Sequence, residues 1–474
     1  VTAIDTTPAS SPSTDPGRSA SLYRAAWRWH FYAGLYVIPF FLMLAVTGMA
    51  MLWIAWIDGR DGERTRVVPQ ETALPLSRQA EAAQALWPEG EIAQYIAPRG
   101  DDLAAIFRVN TDDGAMMAVI DPYTGEVLES FARRSGWYDR MESFHADVML
   151  GVTGDRMIEL AASLGVVLLA TGLYLWWPRD GQGLRALWPR FGARGRALWK
   201  SLHVTIGIWV SVALLFFLVS GLSWAGIWGE KMVQAWSSFP AGKYSGIPVS
   251  DVSHASLNGG RHEVPWALEQ TPMPASDPHA GHGGGGHVAP VAEDRSAGAM
   301  PDADAVDRFA REIGMTGRYQ LNWPKGETGV WTLSRDSMST DSLDPTSDRV
   351  VHLDRYSGAM LADIRFSDYG LMGKAMAIGT ALHMGTLGLW SVLANTLVCL
   401  SVIFLCLSGI AMWWKRRPGG RLRLAAPPAP RDMPQWNGAM GVALALSLAF
   451  PVAGVALAAV LLVDGLVLPR LRRA

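Results

Sequence analysis

Five stretches of this chain run without a charged residue for longer than a globular core requires. Phe31–Ile57, Leu160–Trp177, Ser201–Gly229 and Ala375–Trp414 extend for 27, 18, 29 and 40 residues without Asp, Glu, Lys or Arg. About 20 apolar residues, rising ~1.5 Å each, cross the ~30 Å hydrocarbon core of a bilayer. The pattern therefore predicts four membrane-spanning helices, the last preceded by a surface segment. A fifth run, Met433–Val463, is broken by Pro451 and predicts either one bent span or a shallow hairpin. Composition agrees, since half of the 474 residues are hydrophobic and only 18% are charged. Such a chain is neither disordered nor a coat for nucleic acid. Its two cysteines, Cys399 and Cys406, exclude a disulfide framework and any four-cysteine metal site. Seven residues apart on a helix, they would stand about 10 Å apart, too far to bridge.

Lys and Arg cluster in short loops, which predicts which side each loop occupies. Residues 179–200 carry six basic residues against one Asp, and 415–435 repeat that ratio; with Arg18, Arg24 and Arg28 these segments read as cytoplasmic. The long segments 58–156 and 230–374 are acidic, 18 against 10 and 19 against 13, and read as lying outside the membrane. The expected order is a disordered tail over 1–20, a first span over 21–57, and a soluble module over 58–140. A surface segment with the second span over 141–178, a cytoplasmic loop over 179–198 and a third span over 199–229 follow. A second module over 230–367 contains a His- and Gly-rich insertion at 254–300. The chain continues with a surface segment and fourth span over 368–414, a linker over 415–435, a C-terminal membrane segment over 436–468 and a tail over 469–474.

The halves repeat one another. His30 precedes Thr47-Gly48 by 17 residues, and His203 precedes Ser220-Gly221 by the same distance. His145 precedes Thr171-Gly172, on a helix ending Trp176-Trp177-Pro178-Arg179. His383 precedes Ser408-Gly409, on a helix ending Trp413-Trp414-Lys415-Arg416. The first module predicts a helix near Ser77–Leu86 and strands near Ala104–Val109, Met116–Asp121 and Glu126–Phe131. The second predicts a helix near Asp302–Ile313 and strands near Tyr319–Trp323, Gly329–Arg335, Arg349–Asp354 and Met360–Phe366. Asp121-Pro122-Tyr123-Thr124-Gly125 and Asp354-Arg355-Tyr356-Ser357-Gly358 read as hairpin turns, their Asp and Gly serving turn geometry rather than ligands. The fold class expected is a membrane α-helical bundle of four core spans from a duplicated unit, with two periplasmic α+β modules and an extra apolar C-terminal segment.

Several of these motifs together resemble the PepSY-associated transmembrane family. They are Leu202-His203-Val204-Thr205-Ile206-Gly207, Ser220-Gly221-Leu222-Ser223-Trp224, Phe144-His145 through Gly151, Leu382-His383-Met384-Gly385 and the Trp-Trp-basic helix ends. The two Asp-x-Tyr-Thr/Ser-Gly hairpins resemble PepSY modules. The resemblance covers about residues 21–418; the His-rich insertion and the C-terminal segment depart from it. It implies a multi-pass protein of the bacterial inner membrane, a haem-binding reductase of iron–siderophore complexes of the ferrioxamine type, with its soluble modules periplasmic.

Four histidines stand at equivalent positions at the predicted membrane boundaries, where an unpartnered imidazole is costly. His30 and His203 begin the first and third spans, while His145 and His383 precede the second and fourth. Ligands separated by a bilayer core cannot share one metal, so His30 pairs with His203 and His145 with His383. Facing imidazoles in a helical bundle can ligate a haem iron axially, which gives two bis-His b-type haems. A mononuclear zinc site would need further ligands, and no Cys, Asp or Glu accompanies these histidines in the spans. Thr47, Thr171, Ser220 and Ser408 with Gly48, Gly172, Gly221 and Gly409 read equally as haem-packing positions and as small-residue helix contacts. His279, His282 and His287 read as a solvated linker or, with Met273, as a loose secondary metal site. His254, His262 and His352 have no distinguishing context.

No Walker or dinucleotide-binding motif in context occurs, so electrons would enter from a cytoplasmic reductase or membrane quinol. Three functions follow as expectations: haem-mediated transmembrane electron transfer to a periplasmic ferric siderophore; reduction of Cu(II) or another metal recruited by the His/Met-rich insertion; and a non-redox scaffold or protease regulator whose modules bind peptides. The expected surroundings are the lipid bilayer and no nucleic acid, and a homo-oligomer is compatible with the sequence.

Overall fold

A computed structural model describes residues 16–178, 183–235, 241–258, 263–277, 301–417 and 437–462. Four helices are long and apolar enough to cross a membrane: Ser21–Ile57 within α1 (Pro16–Ile57), α4 (Val152–Trp176), α5 (Arg196–Leu222) and α8 (Leu389–Trp414). The remaining helices are α2 (Leu76–Leu86), α3 (Trp137–Asp147), α6 (Ala303–Glu312), α7 (Leu371–Met384), α9 (Asn437–Ala449) and α10 (Pro451–Leu462). The third span is shorter than the uncharged run, because α5 ends at Leu222 and the chain turns before a π-helical turn at Trp228–Gln234. The chain divides into two compact units, Val1–Ala45 with Asp155–Leu222 and Leu400–Ala474, and Val46–Gly154 with Ser223–Cys399.

In the first unit the helices meet through small residues and aromatic rings. A side chain at Gly165 of α4 would come within 2.5 Å of Phe41 on α1 and 3.2 Å of Leu218 on α5, so only glycine admits both neighbours. Trp199 of α5 stacks on Phe404 of α8 with ring centroids 6.0 Å apart. The fifth apolar run is two helices, α9 and α10, that bend sharply against each other at Phe450. A side chain at Gly454 would lie 2.9 Å from Cβ of Ser447, whereas seven residues of straight helix rise about 10 Å. Pro451 ends α9 by removing the amide the helix would need and opens α10, where that missing donor costs nothing.

The second unit is built on one eight-stranded sheet. Its strands are β1 (Glu91–Ile96), β2 (Ala105–Thr111), β3 (Gly114–Ile120), β4 (Val127–Ala132), β7 (Gln320–Asn322), β8 (Val330–Arg335), β9 (Arg349–Asp354) and β10 (Met360–Arg365). Their order is β10-β9-β8-β7-β1-β2-β3-β4, and a small second sheet pairs β5 (Val249–Ser253) with β6 (Pro272–Pro274). The halves expected as separate modules thus share one sheet, joined where Tyr95 of β1 pairs with Leu321 of β7. Sequence reading omitted β1, whose Glu91-Ile92-Ala93-Gln94-Tyr95-Ile96 is short and carries a buried amide. Gln94 Nε2 donates to Gln320 Oε1 at 2.6 Å across that seam, which lets two polar side chains lie buried there.

Helices α2 and α6 cover one face of the sheet. Phe107, Val109, Leu321, Leu333 and Leu353 form the core beneath them with Ala83 and Val306. The Ser77 amide and hydroxyl both donate to Asp304, at 2.9 and 2.6 Å, and tie the two helix starts together. Both expected hairpin turns form: Asp121 and Asp354 accept from the amides two residues on, and Gly125 and Gly358 take φ of +74° and +71°.

One expectation requires correction. The Gly, Pro and Ala content of 254–300 predicts a segment unable to bury a core, yet its described part does so. His254, Trp266, Leu268 and Met273 are buried, with Leu268 packing on Val350, Ile364 and Tyr369. The Gly, Pro and Ala content that suggested a linker belongs mostly to residues 278–300, which lie outside the described residues. Leu268→Ala should therefore destabilise the folded protein by about 2–5 kcal/mol, while Leu343→Ala, at a position 65% exposed, should be near neutral. Thermal unfolding in detergent reads both; equal midpoints would remove Leu268 from the core.

Candidate functional site

Within the first unit, His30 of α1 and His203 of α5 face each other, with ring centroids 6.4 Å apart and planes at 82°. Each ring is held by a hydroxyl from another helix. His30 Nδ1 lies 3.0 Å from Thr171 Oγ1 on α4, and His203 Nδ1 lies 2.7 Å from Ser408 Oγ on α8. The hydroxyl protons are already committed. Thr171 donates to the Val167 carbonyl at 2.7 Å and Ser408 to the Leu405 carbonyl at 3.0 Å. Each hydroxyl therefore accepts from Nδ1–H, which fixes the tautomer and leaves Nε2 with its lone pair free to bind a metal. An outer partner that orients a ligating histidine in this way is a recurring feature of metal sites.

The second unit holds the other two histidines. His145 near the end of α3 places Nδ1 3.0 Å from Thr47 Oγ1, and it lies within electrostatic range of His383 on α7. Trp224 meets the His383 ring edge-on at 5.3 Å, and its indole Nε1 is buried without a hydrogen-bond partner among the described residues. Asn395 of α8 donates to the carbonyls of Leu382 and His383 at 2.7 and 3.1 Å, capping the last turn of α7.

Glycine beside these hydroxyls makes room for imidazole. A side chain at Gly172 would stand 3.3 Å from Cε1 of His30, and one at Gly48 would stand 3.1 Å from Cε1 of His145. Sequence reading weighed a porphyrin surface against simple helix packing; at these two positions the neighbour is the histidine itself. Gly409 is different, since a side chain there would meet Ile38 in ordinary contact at 3.7 Å. Ser220 is buried and donates to the Phe216 carbonyl at 2.7 Å, one residue before Gly221. His262, His279, His282 and His287 lie outside the described residues. Among the described residues no three His, Cys, Asp or Glu converge as a metal site.

A pair that sequence reading passed over is His254 with His352, both fully buried in the second unit. Their Nε2 atoms are 2.9 Å apart. His254 Nδ1 faces the Thr271 carbonyl at 2.8 Å, and His352 Nδ1 faces Thr332 Oγ1 at 3.0 Å. A carbonyl only accepts, so His254 carries its proton on Nδ1 and accepts on Nε2. His352 then donates from Nε2 and receives the Thr332 hydroxyl proton on Nδ1. Ninety-eight residues separate the two, and no spacing motif could have linked them.

Burial holds both imidazoles neutral, His254 with its pKa down to about 4 and His352 well below its ordinary value. Their folded values lie below the unfolded value near 6.5. Their stabilisation is thus complete above pH 6.5 and is lost as pH falls towards 4. Buried Asp348, raised to about 7 by burial, contributes the opposite slope and is common to wild type and variants. His254→Gln, which takes up no proton, should show a smaller fall in unfolding temperature between pH 6.5 and 4.5 than wild type. Equal falls would mean that the pair does not set acid sensitivity.

No curated protein matches the chain. The family profile for the PepSY-associated TM region matches residues 27–416, a stretch that includes all four membrane histidines, their hydroxyl partners and the entire eight-stranded sheet. The chain accordingly belongs to the PepSY-associated transmembrane family.

Proposed function

We propose that the protein is an inner-membrane oxidoreductase that carries electrons across the bilayer to a ferric siderophore on the periplasmic side. Two b-type haems would be held by His30 with His203 and by His145 with His383. The observation that carries this reading is the set of hydroxyl-held imidazoles, with Nδ1 of His30, His203 and His145 fixed by Thr171, Ser408 and Thr47. Each pair takes one histidine from each half of the repeated pattern, which supports a duplicated origin. The basic loops 179–200 and 415–435 support a cytoplasmic side for the His30 end of α1.

The residues present fit a haem on geometry and on chemistry. A first-row metal sits about 2 Å from an imidazole nitrogen, so two rings that held one between them would have centroids roughly 6 Å apart. The 6.4 Å between His30 and His203 agrees. The Trp224 indole N–H beside His383, without a hydrogen-bond partner among the described residues, would suit an acceptor such as a carboxylate of the bound group. Bound there, haem supplies reversible one-electron transfer at a potential tuned by its ligands. The chain's own residues present neutral Nε2 lone pairs, prevent ring rotation through the hydroxyls and exclude water with apolar helices. One electron from a cytoplasmic reductase or membrane quinol converts each chelated Fe(III) to Fe(II), which hard oxygen donors hold less firmly.

Purified protein should carry two low-spin haems per chain, and acidic organic solvent should extract them because no Cys-x-x-Cys-His motif tethers them. His203→Ala should remove or make high-spin one haem and His383→Ala the other. A well-folded preparation with one haem or none would refute the two-haem reading, and loss of the same haem in both variants would refute the pairing. Dithionite-reduced protein should also be reoxidised by a ferric hydroxamate siderophore while Fe(II) appears in a ferrous chelator. That reoxidation should slow at least tenfold in His145→Ala and His383→Ala; rates equal to wild type would remove the outer pair from the route.

A further inference from the structure

A basic pocket in the second unit, separate from the histidine pairs, has the construction of an anion site. Arg108, Asn110, Ala115, Arg133, Arg134, Ser256 and Lys325 line a cavity of about 320 Å3. Arg108 on β2 is 4% exposed. Only one of its donors is used: Nη2 gives a hydrogen bond to the Leu257 carbonyl at 2.9 Å, and Nε and Nη1 have no hydrogen-bond partner among the described residues. A buried guanidinium with idle donors is costly, because each N–H has lost water and gained nothing.

The charge around it is unbalanced. Glu263 is the carboxylate at the centre, and it is already shared. It pairs with Arg133, with Arg134 at 2.9 Å and with Arg60 at 3.8 Å. Asp61 lies within electrostatic range of Arg108, and Glu91 within range of Lys325. Among the described residues the pocket's own lining holds four cations and no carboxylate. Desolvation first, and Arg133 second, depress the Arg108 pKa to about 10; desolvation and Arg108 depress that of Lys325. Elsewhere in this unit a buried arginine is fully answered: Arg318 pairs with Glu63 at 2.8 Å and Asp341 at 3.0 Å. Among the described residues no carboxylate makes contact with Arg108.

We infer that the Arg108–Arg133–Arg134–Lys325 pocket binds a small oxyanion carrying at least two charges, a polycarboxylate or a phosphate. Guanidinium forks match the paired oxygens of both groups. Asn110 and Ser256 add neutral donors at the wall, and the volume lies in the range of small-ligand sites.

Full-length protein in neutral detergent should bind citrate or pyrophosphate saturably by calorimetry. Affinity should drop at least tenfold in Arg108→Gln and in Lys325→Gln, and it should weaken with added salt. Lys325 is exposed on the turn between β7 and β8, so its variant tests the site even if Arg108→Gln fails to fold. A parallel arm measures co-flotation with vesicles containing phosphatidylglycerol. Citrate or pyrophosphate binding that needs Arg108 and Lys325 supports a soluble anion as the ligand. Vesicle binding alone, with the same dependence, supports a phosphate headgroup as its source. No binding in either arm, or binding that neither variant weakens, overturns the site.

Discussion

An imidazole inside an apolar helix bundle has two nitrogens to satisfy and no water to satisfy them. The membrane region of this protein meets half of that demand with a hydroxyl from a neighbouring helix. Thr171 serves His30, Ser408 serves His203 and Thr47 serves His145. A single hydrogen bond of this kind is worth only about 1 kcal/mol net. Leaving the polar group unmet in hydrocarbon costs several times more. The contacts also choose helix neighbours, α1 with α4 and α5 with α8 in the first unit. At His30 and His203, ring orientation, tautomer and the Nε2 lone pair follow from where Thr171 and Ser408 send their own protons.

The second unit obeys the same rule in and around its sheet. Its eight-stranded sheet brings strands more than 200 residues apart into register, and the seam carries Gln94 and Gln320 bonded to each other. Buried charge is neutralised in a chain, Arg99 and Arg318 to Glu63, and Arg318 onward to Asp341. Breaking one member of such a set costs more than the set contributes, because the remaining charge stays buried. Arg108 is the exception to this pattern, and its exceptional state directs attention to the pocket it lines. The His254–His352 pair is different again, neutral and fully bonded, a packing solution for two polar rings against β8 and β9.

The family resemblance, the four spans and the two hairpin turns were legible along the chain, because each is a local property. Twenty uncharged residues, an Asp-x-Tyr-x-Gly turn and a Trp-Trp-basic end need no partner to be read. The equivalence of His30 with His203, and of His145 with His383, was legible for a related reason: repetition displays itself in spacing. Helix rise and bilayer thickness then suggested which histidines share a site, and the facing rings of His30 and His203 accord with that.

What the chain could not reveal are properties of contact. Thr171 and Ser408 were visible as small polar residues near glycines, but only packing showed that their hydroxyls hold imidazoles and that Gly172 and Gly48 clear space for rings. β1 was missed because Glu91 and Gln94 give it polar residues that a half-buried strand pattern does not suggest, and its place between β2 and β7 depends on pairing across the whole unit. Residues 254–277 were misjudged because composition averages over a segment, whereas burial is decided residue by residue at Leu268 and His254. Arg108 is one of many arginines in the sequence. Its idle donors exist only because tertiary structure withdrew it from water without supplying a carboxylate.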